Sequence, residues 1–180
     1  MDTSELEAGL EAILAAPKNE GVVDLIVRRP RVDEREVLTE GLLTPEEGLG
    51  GDDWLSRASR ASADGVPNPD TQIALMSSRV IDLLAGDRSR WPLAGDQLFV
   101  DIDLTPENLP PGTRLRVGEA TLEVSNEPHT GCAKFTTRFG RDAIRFVNSP
   151  SGRALRLRGM YARVVEPGVV RPGDAIRKLG

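Results

Sequence analysis

From Leu98 to the C-terminus, short stretches of alternating apolar and polar residues are interrupted again and again by turn signals, and this rhythm constrains the fold more than any other feature. Leu98-Phe99-Val100-Asp101-Ile102-Asp103 alternates. Leu115 and Val117, then Leu122 and Val124, form two alternating pairs around Gly118-Glu119, which is the pattern of a hairpin. Ile144-Arg145-Phe146-Val147, Leu155-Arg156-Leu157 and Met160-Tyr161-Ala162-Arg163-Val164-Val165 read as further strands. Pro167-Gly168 and Pro172-Gly173-Asp174 mark turns before a last strand at Ala175-Ile176. Many short strands with closely spaced turns predict a barrel or a sandwich, mainly β with a few short helices.

The first half is more mixed. Leu6, Leu10, Ile13 and Leu14 fall on one face of a helix predicted over residues 3–16, with Ser4 and Glu7 at capping-box spacing and Pro17 as the stop. Val22-Val23-Asp24-Leu25-Ile26-Val27 and Glu36-Val37-Leu38-Thr39 read as strands. Residues 44–54, rich in glycine and acid, read as a long turn rather than a buried element, and residues 56–70 as an irregular loop. Residues 71–84 fit either one helix or a strand to Leu75 followed by a short helix from Ser78, with Gly86 as terminator in both cases. No linker and no internal repeat separates these segments.

A chain of 180 residues suits one domain with a hydrophobic core. Aromatic residues make up only 4%, so that core has to be aliphatic. No apolar run approaches the ~20 residues of a membrane span, and the acidic start Met1-Asp2-Thr3-Ser4-Glu5 does not resemble a secretory signal. The single cysteine makes no internal disulfide and fits a reducing, cytoplasmic setting. The net charge of −5 hides a division: residues 1–127 carry −13 and residues 128–180 carry +8. The sign changes beside His129 and Cys132. A positive field there would draw an anionic ligand; paired acidic and basic strands are the plainer reading.

The only histidine and the only cysteine stand three residues apart in Glu127-Pro128-His129-Thr130-Gly131-Cys132. A thiolate is both a nucleophile and a soft-metal ligand, and a turn made by Pro128 and Gly131 can aim backbone N–H groups at an anion. An inert, buried cysteine at a strand start is the alternative. Other sites are excluded on ligand count or context. One cysteine and one histidine cannot make a structural zinc site. There is no P-loop, and no apolar helix follows Gly48-Leu49-Gly50-Gly51 as a dinucleotide fingerprint demands. A Ser-His-Asp triad would have to use His129 and lacks a nucleophile elbow. The arginines after Cys132 lack interleaved aromatics, so nucleic acid is not an expected partner.

These residues, in this order, resemble the MOSC domain, the C-terminal domain of molybdenum cofactor sulfurases, in its stand-alone bacterial form. Asp103-Leu104-Thr105-Pro106-Glu107-Asn108-Leu109 is similar to the family's Glu-Asn-Leu segment, and residues 112–124 to its strand–glycine–strand unit. His129-Thr130-Gly131-Cys132 supplies the family cysteine. Arg158-Gly159-Met160-Tyr161-Ala162-Arg163-Val164 and Gly168-Val169-Val170-Arg171-Pro172-Gly173-Asp174 complete the likeness, and Gly48-Leu49-Gly50-Gly51-Asp52 is similar to the family's Gly-Asp loop. The resemblance implies a β-barrel over residues 21–180 behind an N-terminal helical extension, residues 1–20. It implies Cys132 as persulfide carrier or metal ligand, with His129, Thr130, Gly131, Lys134, Arg138, Arg158, Asn108 and Asp52 as cofactor-binding candidates.

Molybdenum cofactor (molybdopterin) is the cofactor the resemblance admits. No pyridoxal-phosphate domain is expected in this chain, so sulfur would come from a donor such as a cysteine desulfurase. Three functions follow as expectations. The first is a sulfur carrier or cofactor-binding protein. The second is a molybdenum-dependent reductase of N-hydroxylated compounds, which needs a redox partner. The third is a non-catalytic module that keeps only the barrel.

Overall fold

A computed structural model describes residues 3–180 of the chain. Its strands are β1 (Glu20–Arg28), β2 (Glu36–Leu38), β3 (Gly41–Thr44), β4 (Gly48–Leu49), β5 (Ile73–Ser77), β6 (Leu98–Asp101), β7 (Arg114–Val117), β8 (Ala120–Val124), β9 (Met160–Glu166), β10 (Gly168–Val170) and β11 (Ala175–Lys178). The α-helices are α1 (Thr3–Ala8), α2 (Leu10–Leu14), α3 (Trp54–Ala61), α4 (Ser78–Ala85), α5 (Ala133–Phe139), α6 (Arg141–Asn148) and α7 (Pro150–Ala154).

Seven strands close into a barrel in the order β1, β11, β7, β8, β9, β5, β6 and back to β1. The seam is the antiparallel pairing of Glu20–Val22 with Arg177–Ala175. Strand β1 is nine residues long and meets β11, β6 and β2 in turn. Its register shifts between Val23 and Leu25, and a bulge of that kind bends a strand around a barrel corner. Strands β5 and β6 are parallel, which requires a crossover, and α4 supplies it. Helix α4 ends at Gly86 with φ +69°, as expected of a left-handed C-cap. Strands β10, β3 and β4 form a small second sheet.

The two faces of the barrel strands fill two cores. Ile26, Leu75, Leu98, Leu122 and Ala162 point inward with the aliphatic filling. Their neighbours Val27, Met76 and Phe99 point outward and pack under Leu6, Ile13, Ile81, Trp91, Phe135 and Phe146 from the helical layer. All five residues of β5 are therefore buried. A strand covered on both faces loses its period of two, which is why residues 71–84 read equally well as helix; the strand-then-helix alternative is the one adopted.

Several expectations need correction. The N-terminal helix breaks at Gly9 into α1 and α2, and Leu14 is 51% exposed rather than packed. A side chain at residue 9 would run into the Leu83 methyls, so glycine lets the chain lie close to α4, with α2 settling on α4 and α1 on α6. Helix α1 already begins at Thr3, one residue ahead of the expected cap at Ser4. Residues 44–54 are not only a turn, since Gly48 and Leu49 are buried as β4. The expected loop at 56–70 begins as helix α3. Ile144–Val147 is not a strand but the heart of α6, which buries Ala143, Phe146 and Val147 on one face. Leu155–Leu157 is a turn after α7, with Arg156 at φ +51°. The end of β8, the starts of β9, β5 and β6 and the end of β1 share one end of the barrel. The chain leaves β8 there, forms α5–α7 and returns into β9.

Candidate functional site

Residues 126–132 cross that end of the barrel. The crossing is clamped from α6: the Gly131 N–H donates to Asn148 Oδ1 at 2.9 Å, and Asn148 Nδ2 donates back to the Gly131 carbonyl at 3.1 Å. Cys132 follows as the residue that opens α5. Its thiol is free and exposed, and its carbonyl accepts from the Thr136 N–H at 3.1 Å. A buried cysteine at a strand start is thereby excluded.

Cys132 stands on the wall of a cleft of about 360 Å³ whose lining is strongly cationic. Seven cations face it, Arg29, Arg31, Arg35, Arg57, Lys134, Arg138 and Arg158, against two carboxylates, Asp33 and Asp53. Two of the guanidiniums form the floor and are neutralised there. Arg29 pairs with the buried Asp52 at 2.6 Å and donates to the Gly95 carbonyl at 2.9 Å. Arg158 pairs with both oxygens of Asp96 at 3.0 and 2.8 Å, donates to the Ala94 carbonyl, and lies over the Phe135 ring. The residues 94–96 thus hold both guanidiniums in place.

The rim keeps five cations for two carboxylates. Asp33, at φ +63°, accepts from Lys134 at 2.8 Å and Arg138 at 2.9 Å, tying the loop after β1 to α5 across the mouth. Arg35 and Arg57 have their pKa values lowered first by burial and then by neighbouring cations, Arg138 and Arg29 for the former and Arg29 for the latter. Such like-charge crowding costs stability and is relieved by an anion.

Beneath the rim, His129 is 7% exposed, stacks on Tyr161 with ring centroids 4.3 Å apart, and carries Nδ1 3.6 Å from Asp96. That distance is too long for a hydrogen bond, and Nδ1 has no partner among the described residues. Burial, then Arg158 and Arg29, push the imidazole pKa well below 6.5, so the ring is neutral at pH 7. Burial raises the Asp96 carboxyl, opposed by Arg158. Tyr161 lines the same cleft, and burial raises its pKa, so its hydroxyl is a proton-bearing donor.

Of the residues picked out from sequence, the structure brings Cys132, His129, Thr130, Lys134, Arg138 and Arg158 to this cleft. Gly131 sets the loop path. Asp52 lies behind the floor and acts on the cleft through Arg29. Asn108 is not brought here: its amide donates to the carbonyls of Lys18 and Asp103 and pins the loop before β7. Arg29, Arg31, Arg35, Arg57, Tyr161 and Asp96 were not anticipated. The run Arg28-Arg29-Pro30-Arg31, standing out inside an acidic half, is the signal that could have found the first of them.

The chain belongs to the MOSC domain family, whose model matches residues 68–177. MOSC domains are associated with molybdenum cofactor. The match includes Cys132, His129 and one floor arginine, Arg158, but not the other, Arg29, nor Arg31, Arg35 and Arg57, which with it make one side of the cleft. The fold is similar to that of a hypothetical protein of known crystal structure, with TM-score 0.61 and 22% identity, covering 91% of this chain and 69% of that one. It is also similar to the YuaD protein from Bacillus subtilis, with TM-score 0.60 and 20% identity, covering 87% of this chain and 94% of that one. YiiM from Escherichia coli gives TM-score 0.56 and 20% identity, covering 88% of this chain and 70% of that one. At these identities the likeness is one of fold. No curated protein matches the sequence significantly.

The residues of the cleft fit a molybdenum-bearing pterin. No group of three or more histidine, cysteine or acidic side chains able to hold a metal occurs among the described residues. Cys132 would therefore be a lone protein ligand, which suits a metal that arrives with its other ligands attached. The excess of guanidinium groups suits the phosphate of such a group.

Proposed function

We propose that this protein holds molybdenum cofactor in the cationic cleft and uses Cys132 to carry sulfur or to ligate the metal. One observation carries the reading: the chain's only thiol opens onto a cleft with seven cations and two carboxylates, in a protein whose net charge is −5. When bound, the cofactor supplies the metal and its redox chemistry. The chain's own residues bind and orient. Arg35, Arg57, Lys134 and Arg138 attract the phosphate, the floor pairs Arg29–Asp52 and Arg158–Asp96 keep the pocket rigid, and the Tyr161 hydroxyl offers a hydrogen bond. The Gly131–Asn148 clamp fixes where the thiol stands.

In sulfur transfer, the Cys132 thiolate attacks the outer sulfur of a donor persulfide. The new S–S bond forms on Cys132 and the donor leaves as its thiolate, so no external oxidant is consumed. A cysteine desulfurase is a donor of that class, and a redox partner takes its place if the bound metal cycles.

Protein purified anaerobically and exposed to a cysteine desulfurase with cysteine should gain a sulfur adduct of about 32 Da in intact mass, or contain molybdenum. The sulfur adduct should vanish in Cys132→Ala. Wild-type protein with neither signal would overturn the proposal.

A further inference from the structure

A second cavity lies against the other side of residues 127–130. It measures about 340 Å³ and shares His129, Thr130 and Arg158 with the cationic cleft. Its remaining walls come from the loop before β7, the end of β8, α7 and the start of β9. Pro106, Pro111, Val147 and Met160 give it an apolar, flat-sided lining.

Its charges are unusual. Arg158 is neutralised by Asp96, but Arg153 and Arg156 have no carboxylate partner among the described residues. Arg156 is half-buried. Its Nη1 donates to the carbonyls of Leu104 at 3.2 Å and Leu109 at 2.7 Å. The backbone that places it is left-handed, φ +51°, a conformation non-glycine residues rarely hold without compensation. Its Nε and Nη2 are left without a protein acceptor. Burial alone lowers its pKa, with no neighbouring carboxylate to offset it. A half-buried guanidinium whose donor edge has no protein acceptor is open to an anion that enters the cavity. Glu127 is the cavity's one carboxylate, and it already accepts from Asn68 at 3.2 Å. Arg153 and Arg156 against Glu127 leave one positive charge, which a monoanion balances and a dianion overshoots.

We infer that this cavity is a second ligand site, taking a small organic carboxylate whose flat apolar body lies between the prolines and Met160 and whose carboxylate meets the open edge of Arg156. The site is separate from the cofactor reading and does not depend on it. Thr130 and His129 form the partition, so a ligand here stands one side chain away from the cationic cleft.

Only three methionines occur in the chain, and Met160 alone lines this cavity, so methionine-methyl NMR reads it directly. Titration with 4-methylbenzoate should move the Met160 methyl resonance saturably, and the neutral 4-methylbenzamide should not. Arg156→Lys, which keeps the charge but loses the planar edge, should weaken the probe about tenfold or more. Arg153→Gln, on an exposed side chain, should weaken it by a smaller factor and guards against a folding defect in the first variant. Arg35→Gln, in the cationic cleft, should leave the titration unchanged, so this inference and the cofactor reading fail independently. Equal response to the amide, tighter binding of inorganic phosphate, indifference to both arginine variants, or no saturable shift would overturn the inference.

Discussion

At the scale of single residues, the site depends on groups held in states they would not choose in water. His129 is the clearest. Burial keeps its ring neutral, with Arg158 and Arg29 adding to the effect. The unfolded chain takes up a proton as the pH falls through about 6.5, and the folded chain does not. The stability is therefore present above that pH and is lost progressively below it. Asp96 acts in the opposite sense, because its raised carboxyl protonates in the folded chain first and regains stability in acid. The melting temperature should fall between about pH 7 and pH 5.5, and His129→Gln should flatten that slope. An equally steep slope in the variant would remove His129 from the account. Asp33 makes a second residue-scale case. Its carboxylate occupies Lys134 and Arg138 at the mouth of the cleft, as a bound anion would. Asp33→Asn should raise the affinity for sulfate several-fold by calorimetry with little change in melting temperature, because the pair is solvent-exposed. Unchanged affinity would mean that the tie does not compete with ligands.

At the scale of elements, strands with a wet face were legible, and of the covered ones β6 was read as a strand while β5 stayed ambiguous. The hairpin of β7 and β8 formed as its alternation implied, with one face of β7 exposed. Strand β5 was left open between two readings and helix α6 was misread as a strand, for opposite reasons. Strand β5 is buried throughout and shows no period. The four residues Ile144–Val147 are too few to separate a period of 2 from one of 3.6. Helix α3 hid in a segment of small and charged residues whose well-buried anchor among the described side chains is Trp54. The join between β5 and β9 carries a specific constraint. Gly159 has φ +103°, and a Cβ there would stand 2.2 Å from the Leu75 carbonyl oxygen. Gly159→Ala should cost about 3 kcal/mol or more, read by denaturant unfolding, because both the backbone angle and the close approach are violated. A loss under about 1 kcal/mol would show that the β5–β9 register tolerates a shift there.

At the scale of the whole molecule, the charge division seen in the sequence pointed to the correct region and to only half of its residues. The basic segment after residue 128 supplies Lys134, Arg138 and Arg158. The acidic segment, −13 in sum, supplies Arg29, Arg31, Arg35 and Arg57. Summing charge along a sequence cannot reveal an arginine cluster that chain closure brings together, since the seam and the loop after β1 join residues more than 100 positions apart. The cysteine was legible because it is unique and sits in a family-like segment. Its setting was not, because the opposite wall is built by residues 29–35, 53 and 57, which lie far from Cys132 in sequence. The central claim is that the cations hold an anionic cofactor and the thiol acts upon it, and pterin and molybdenum content across charge and thiol variants separates the two roles. Chain produced in a cofactor-making host and purified anaerobically should retain both pterin and metal. Arg35→Glu with Arg57→Glu should lose both, and Cys132→Ser should keep the pterin and its metal while losing the sulfur adduct at residue 132. Equal pterin content in wild type and the charge-reversed variant, or none in either, would contradict the account.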